Sequence, residues 1–174
     1  MYLPSEDSFL LANAVKSYNG KSALEIGVGS GVVLQVLYEN FQIVAGTDID
    51  LVSLRYCKEN LSNDIMLACC DAASAFHHKF DLIVTNPPYL PLEDNEMKDP
   101  AIHGNSNGLE TTLNFVKSAI SVLAKNGKML IIISSLSIDT TLDEFLFQMK
   151  LKRRVISIKK LFFEQLTTLE ISFQ

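Results

Sequence analysis

Apolar residues recur along this chain with two different periods, and the switch between them predicts the order of elements. Between residues 5 and 18, Phe9, Leu10, Ala14 and Val15 fall at helical spacing behind Pro4 and Ser5, a helix-start signal, and Asn19-Gly20 closes the segment. Residues 22–26 read as a short strand that runs into Gly27, Gly29 and Gly31, after which Val32, Val33, Val36 and Leu37 return to helical spacing. A second strand, 42–47, ends in Asp48, and a helix over 51–61 follows with Asp50 as its cap. The third strand, 65–70, ends in Asp71, and the fourth, 80–85, stops at Asn86-Pro87-Pro88-Tyr89.

Residues 90–107 are polar and rich in Pro, Asn and Gly, a loop length that inside a compact domain is usually functional. A helix over 109–124 follows, with Asn126-Gly127 as its predicted C-cap. The fifth strand, 128–134, is so apolar that it should be central and covered on both faces. A helix over 141–150 and two extended segments, 154–159 and 168–173, complete the chain. Strands alternate with helices until a strand-only end. That order predicts an α/β fold: a doubly wound, mostly parallel seven-stranded sheet finished by an antiparallel hairpin, as one domain over residues 1–174.

Composition narrows the classes. With 174 residues, 48% of them apolar, the chain can bury one sizeable core. The net charge of -5 gives no overall drive toward nucleic acid, so direct nucleic-acid binding is not expected. Lys150, Lys152, Arg153, Arg154, Lys159 and Lys160 gather late, as a solvated strand face would. Cys57, Cys69 and Cys70 are odd in number and fit reduced, mostly buried thiols better than a disulfide framework or a zinc site; no metal is expected. The longest apolar run, 129–133, is too short to span a bilayer, and acids stand where a signal peptide would carry bases. A cytoplasmic protein is the expectation.

The chemistry gathers at strand ends. Two prolines stiffen the turn after the fourth strand, which leaves the Asn86 side-chain oxygen and nearby carbonyls as outward acceptors, with the Tyr89 ring beside them. Two acceptors and an aromatic face suit an NH2 group on a flat conjugated carbon. A proline turn that merely ends a strand is the plainer alternative. In the glycine loop, Glu25 precedes the first glycine, where a carboxylate would repel a pyrophosphate but attract an ammonium; an amino-acid-bearing nucleoside fits better than a dinucleotide. Asp48 could accept from both ribose hydroxyls, and Asp71 from an adenine amino group. Singly, each acid could equally be a helix cap. Together with Asn86 they line the carboxyl ends of four successive strands, where open α/β sheets bind ligands. His103 is a candidate base but reads better as solvated surface, and His77 and His78 as turn residues.

This order of motifs resembles the class I S-adenosylmethionine-dependent methyltransferases, from the glycine loop to the tail. The Asn-Pro-Pro-Tyr form is similar to enzymes that methylate amide or exocyclic base nitrogens. The N-terminal stretch Tyr2-Leu3-Pro4-Ser5-Glu6-Asp7-Ser8-Phe9-Leu10-Leu11 resembles the opening of the short HemK-like branch, which methylates the glutamine of the Gly-Gly-Gln motif in class 1 peptide release factors; residues 101–110 and 164–173 resemble its post-signature loop and closing strand. The resemblance implies S-adenosylmethionine as cofactor and S-adenosylhomocysteine as product. It assigns Glu25, Gly27, Gly29 and Ser8 to the methionine end, Asp48 and Ile49 to the ribose, and Asp71 and Ala72 to the adenine. Asn86, counted with the cofactor contacts as well, and the Pro87 carbonyl would accept from the substrate amide, with Pro88 and Tyr89 completing the substrate site. The longer bacterial enzymes carry an N-terminal helical domain for which this chain has no room. In the short branch the resemblance implies a small zinc-binding activator protein. Residues 65–70, a predicted edge strand without charge or proline, could receive such a partner, or be covered by the chain's own loop. Adenine N6 methylation in RNA or DNA is the nearest alternative, and a non-catalytic cofactor-binding assembly subunit a second.

Overall fold

The computed structural model describes residues 2–88, 109–136 and 140–174. Five helices and seven strands follow in the order α1 (Glu6–Val15), β1 (Gly20–Ile26), α2 (Val32–Asn40), β2 (Phe41–Asp48), α3 (Leu51–Asn60), β3 (Met66–Cys69), β4 (Phe80–Thr85), α4 (Leu109–Val122), β5 (Leu123–Ser134), α5 (Thr140–Gln148), β6 (Leu151–Lys160) and β7 (Gln165–Phe173) among the described residues. One seven-stranded sheet has the order β3-β2-β1-β4-β5-β7-β6. Strands β1 to β5 pair in parallel, and β7 lies antiparallel between β5 and β6. This is the doubly wound sheet with a terminal antiparallel hairpin that the sequence predicts.

Strand period and helix placement explain the two cores. Successive strand residues face opposite sides. Ala23, Val44, Leu82, Val84, Leu130 and Ile132 therefore pack with Leu11 and Val15 of α1, Val33, Leu34 and Leu37 of α2, and Leu54 and Cys57 of α3. Their neighbours Leu24, Ala45, Ile83, Met129, Ile131 and Ile133 pack on the other face with Val116 and Ala119 of α4 and Leu142 and Leu146 of α5. Met129 to Ile132 are wholly buried, as a central strand requires.

Local chemistry sets the element ends. Asp50 caps α3 by accepting from Val52 N at 2.9 Å and Ser53 N at 3.3 Å. The Ser53 hydroxyl, donating at 2.8 Å, is the largest influence holding the Asp50 carboxyl down, at about 2. Two expectations are corrected. Asn126-Gly127 does not cap a helix, because α4 ends at Val122 and Gly127 is buried within β5. A β-carbon there would lie 2.9 Å from both the Phe80 carbonyl oxygen and Leu123 Cδ1. Glycine serves close strand approach at the irregular β4–β5 register between Phe80 and Leu82, not a left-handed cap. Similarly, Gly20 opens β1 rather than ending α1, whose last residue is Val15.

Candidate active site

The parallel register brings four strand ends to one rim. Ile26 stands opposite both Thr47 and Thr85, and Asp48 opposite Cys69. The residues that follow, Gly27 after β1, Ile49 after β2 and Asn86 after β4, emerge together. Thr85 Oγ1 donates to Ile26 O at 2.9 Å and ties the central pair at the edge.

The turn after β1 needs glycine. Gly27, Gly29 and Gly31 have φ of 78°, 48° and 77°, all left-handed. Gly27 N and Val28 N both donate to the Thr47 carbonyl, at 2.8 and 3.0 Å, and Gly31 N donates to Val28 O at 2.7 Å. A β-carbon on Gly31 would lie 2.8 Å from both Cys57 Sγ and Leu61 Cδ1, so α3 closes directly on the loop. By contrast, no described residue comes within 4 Å of the corresponding position on Gly27.

Two side-chain oxygens at this rim are buried without a hydrogen-bond partner among the described residues: Glu25 Oε2 and Asn86 Oδ1. Thr47 Oγ1 is a third such atom, at the end of β2. Such groups are costly and rare, and ask for a ligand. Glu25 is only 4% exposed. Burial first, and then the charge of Asp48, push its carboxyl well above the ordinary range, against a smaller opposing pull from the Leu34 backbone. A cation placed here would favour the ionised form and so oppose both influences. Pro87 is buried and Pro88 half-buried.

Asp48 is already partly engaged. Its Oδ2 accepts from Gly29 N at 3.0 Å and its Oδ1 from Asp50 N at 2.8 Å, so the carboxylate is held in one orientation beside the loop. Ile49 next to it is 64% exposed. Asp71 is exposed, while Ala72 is buried with a left-handed φ of 45°. The turn there is braced by Ser74 N on Asp71 O, at 3.0 Å, and by Ala73 N on the Ser118 hydroxyl of α4, also 3.0 Å. Ser8 is buried; its hydroxyl accepts from Ser5 N at 3.4 Å and donates to Asp7 Oδ1 at 3.2 Å, which gives it a part in the start of α1. Tyr89 and His103 lie outside the described residues. His78 is exposed and sets its ring edge-on to Phe80 at 5.1 Å.

Tyr2 and Asp7, which in the sequence belong only to the N-terminal stretch and carry no assigned role, also stand at this rim. Tyr2 lies across Gly29, with its carbonyl oxygen 3.4 Å and its Cβ 3.5 Å from where a β-carbon would stand. Its hydroxyl donates to Asp7 Oδ2 at 2.9 Å, and burial together with that carboxylate pushes the phenol far up. Asp7 is 2% exposed. An acid at the start of a helix is the ordinary dipole-favoured pattern, so nothing in the letters separated it from Glu6. A depression lined by Asn19, Gly20, Glu39, Asn40 and Phe41 lies at the opposite, amino end of the strands, away from these acids.

Comparison with known proteins gives the family and the fold. A chain of Methanocaldococcus jannaschii, provisionally named protein N5-glutamine methyltransferase, is 34% identical over 145 residues, 79% of this chain and 74% of that one. The release factor glutamine methyltransferase of Streptococcus pneumoniae is 30% identical over 122 residues, 62% of this chain and 44% of its own, so the chain spans under half of that bacterial relative. Among solved structures, a chain of the E. cuniculi Mtq2–Trm112 complex, responsible for methylation of the eRF1 translation termination factor, superposes with a TM-score of 0.78 at 22% identity, covering 99% of this chain and 98% of that one. The N-methyltransferase NodS of Bradyrhizobium japonicum, in complex with S-adenosyl-L-homocysteine, gives 0.66 at 16% identity over 97% and 86%. Residues 6–157 match the methyltransferase small domain model, and the chain belongs to that family.

Proposed function

We propose that this protein transfers a methyl group from S-adenosylmethionine to the side-chain nitrogen of a glutamine, that of the Gly-Gly-Gln motif in a class 1 peptide release factor. The observation that carries the reading is the buried Asn86 Oδ1 at the tip of β4, one strand away from the buried Glu25 Oε2, both without a hydrogen-bond partner among the described residues. One is an acceptor waiting for an N–H; the other is a carboxylate position waiting for a cation. The relatives' names supply the glutamine and the release factor.

The residues present fit the cofactor. Glu25 would hold the ammonium of the methionine end, with Gly27 and Gly29 leaving room for it and Ser8 nearby on α1. Asp48, already oriented by Gly29 N and Asp50 N, keeps lone pairs for the ribose hydroxyls, with Ile49 packing beside it. Asp71 and Ala72 would take the adenine. When bound, S-adenosylmethionine supplies a sulfonium methyl that is electrophilic without further activation.

The chain's own work is then alignment. Asn86 Oδ1 and the Pro87 carbonyl would accept from the two N–H groups of the amide, and Pro88 and Tyr89 are assigned with them to the substrate. Held so, the nitrogen would gain electron density and be presented to the methyl donor, an alignment worth as much as about 7–11 kcal/mol. No general base is required: as the nitrogen takes the methyl, the carbon–sulfur bond would break to leave S-adenosylhomocysteine, and the then cationic nitrogen is acidic enough to lose its proton to water. The short, uncharged edge β3, with Met66 46% exposed, supports a small activator protein as partner, and the eRF1-methylating complex is such a two-protein assembly.

Incubation with labelled S-adenosylmethionine and separate pools of release factor and RNA tests this, with a Gly-Gly-Ala release factor as control. Label is expected in the release factor and absent from the control. Label in RNA alone would overturn the proposal.

A further inference from the structure

The hairpin between β6 and β7 ends in two phenylalanines that contribute nothing to either core. Phe162 is 94% exposed and Phe163 86%. Lys160 pairs with Gln165, and Leu161 N donates to Glu164 O at 2.8 Å, so Phe162 and Phe163 are the two central residues of a tight turn. Turn tips of this kind are ordinarily occupied by small or polar residues; two aromatic residues there are left almost wholly in solvent, with no packing gain. Departures of that kind collect where function overrides stability.

The tip is also preformed and correctly placed. The two rings meet edge to face, 4.7 Å between centroids at 79°. Glu164 accepts from the Ser134 hydroxyl at the end of β5, Gln165 N donates to Ser135 Oγ at 2.9 Å, Ser135 N donates to Gln165 O at 2.9 Å, and Lys159 pairs with Glu6 of α1. Because β7 runs antiparallel to β5, with Leu166 opposite Ser134, the tip rises from the carboxyl end of the parallel strands, the rim that also bears Asn86. With strands about 4.8 Å apart, three steps in the order β4-β5-β7-β6 put it roughly 14 Å to the side of Asn86. That is beyond the reach of a single glutamine side chain and well within the footprint of a folded protein presenting one. Two exposed rings make an apolar patch of roughly 300–400 Å², the size at which exposed surface usually marks an interaction site.

We infer that Phe162 and Phe163 form a docking anchor for the folded protein substrate, which they hold by an apolar surface patch beside its glutamine loop. This rests on the proposed function and deepens it: recognition is shared between the Asn86 turn, which takes the amide, and the hairpin tip, which takes the protein. Phe147, 78% exposed at the end of α5 next to the start of β6, lies at the opposite end of the sheet and takes no part.

The test is steady-state methylation of intact release factor, and of a short peptide carrying Gly-Gly-Gln, by wild type, Phe162→Ser/Phe163→Ser and Phe147→Ser, each with the activator protein present. The double variant is expected to raise KM for the intact factor at least about tenfold, the scale of losing an aromatic anchor. Its kcat, cofactor affinity and melting temperature should stay at wild-type values. Phe147→Ser should match wild type, and on the peptide all three proteins should behave alike. In wild type, the amides of residues 160–165 should be protected from hydrogen exchange by the intact factor. Wild-type methylation with an unchanged KM in the double variant, or no protection at the tip, would overturn the anchor and leave the proposed function standing. A wild type that methylates neither substrate would overturn both.

Discussion

Replacing Glu25 with glutamine should make the protein more stable and unable to hold its cofactor, with a pH dependence that identifies the cause. The carboxyl is 4% exposed, one of its oxygens has no partner among the described residues, and Asp48 adds a second negative charge nearby. Its pKa in the folded protein is therefore raised above the ordinary 4.5. Between 4.5 and that raised value the folded state keeps a proton that the unfolded chain has released, so wild-type stability falls as pH rises through the window. Glutamine has no proton to lose. Glu25→Gln should match wild type near pH 4 and exceed it increasingly at higher pH, by about 1–3 kcal/mol, the penalty of an uncompensated buried polar group. For a chain of this size, that is a melting temperature higher by roughly 3–10 °C. Cofactor binding should move the other way. Losing one member of a buried charge pair costs about 2–5 kcal/mol, or at least thirtyfold in Kd for S-adenosylmethionine. Thermal melts from pH 4 to 9 and calorimetric titration read both. A variant less stable than wild type at pH 8, or one that binds within threefold of it, would refute the reasoning.

Three further outcomes follow from the same geometry. Asn86→Ala should lower kcat for methylation by about a thousandfold, as loss of a transition-state hydrogen-bond partner does, and leave cofactor Kd within about twofold by calorimetry. Asp48→Ala should raise that Kd before it affects kcat, and should also cost about 1–2 kcal/mol in urea unfolding because Gly29 N and Asp50 N lose their acceptor. Gly31→Ala should destabilise by about 2–4 kcal/mol, since it combines a left-handed φ with a β-carbon 2.8 Å from Cys57 Sγ and Leu61 Cδ1; an unchanged unfolding midpoint would show that α3 yields more readily than its packing implies.

Much of the fold was legible because periodicity reports burial. The run from Met129 to Ile133 announced a covered central strand, and the strand-only tail announced the hairpin. Asp50 was readable as a cap since capping is local chemistry. Gly127 was misread for the complementary reason: an Asn-Gly pair after a helix looks the same in sequence whether the glycine turns left-handed or lets a strand approach Phe80. Of the predicted site residues, Glu25, Gly27, Gly29, Asp48 and Asn86 meet at one rim, and Asp71 and Ala72 form the turn after β3, where Asp71 is exposed and Ala72 buried. Tyr2 over Gly29, the buried Asp7 and the Thr47 hydroxyl, unmatched among the described residues, were illegible, because each depends on what packs against it from elsewhere in the chain.

The sequence by itself determined the elements, the two-faced sheet and the row of polar residues at strand ends, since these follow from spacing along the chain and from the rule that parallel strands share one carboxyl edge. Only the tertiary structure decided which of those polar groups are spent and which remain open. Asp48 is held by two backbone donors, whereas Glu25 and Asn86 each keep a buried oxygen unmatched among the described residues. It also placed Phe162 and Phe163 above the same rim, because the antiparallel return of β7 turns the hairpin tip toward the ends of β4 and β5. Hydrogen-bond satisfaction depends on neighbours brought together by folding, and no pattern of letters records it.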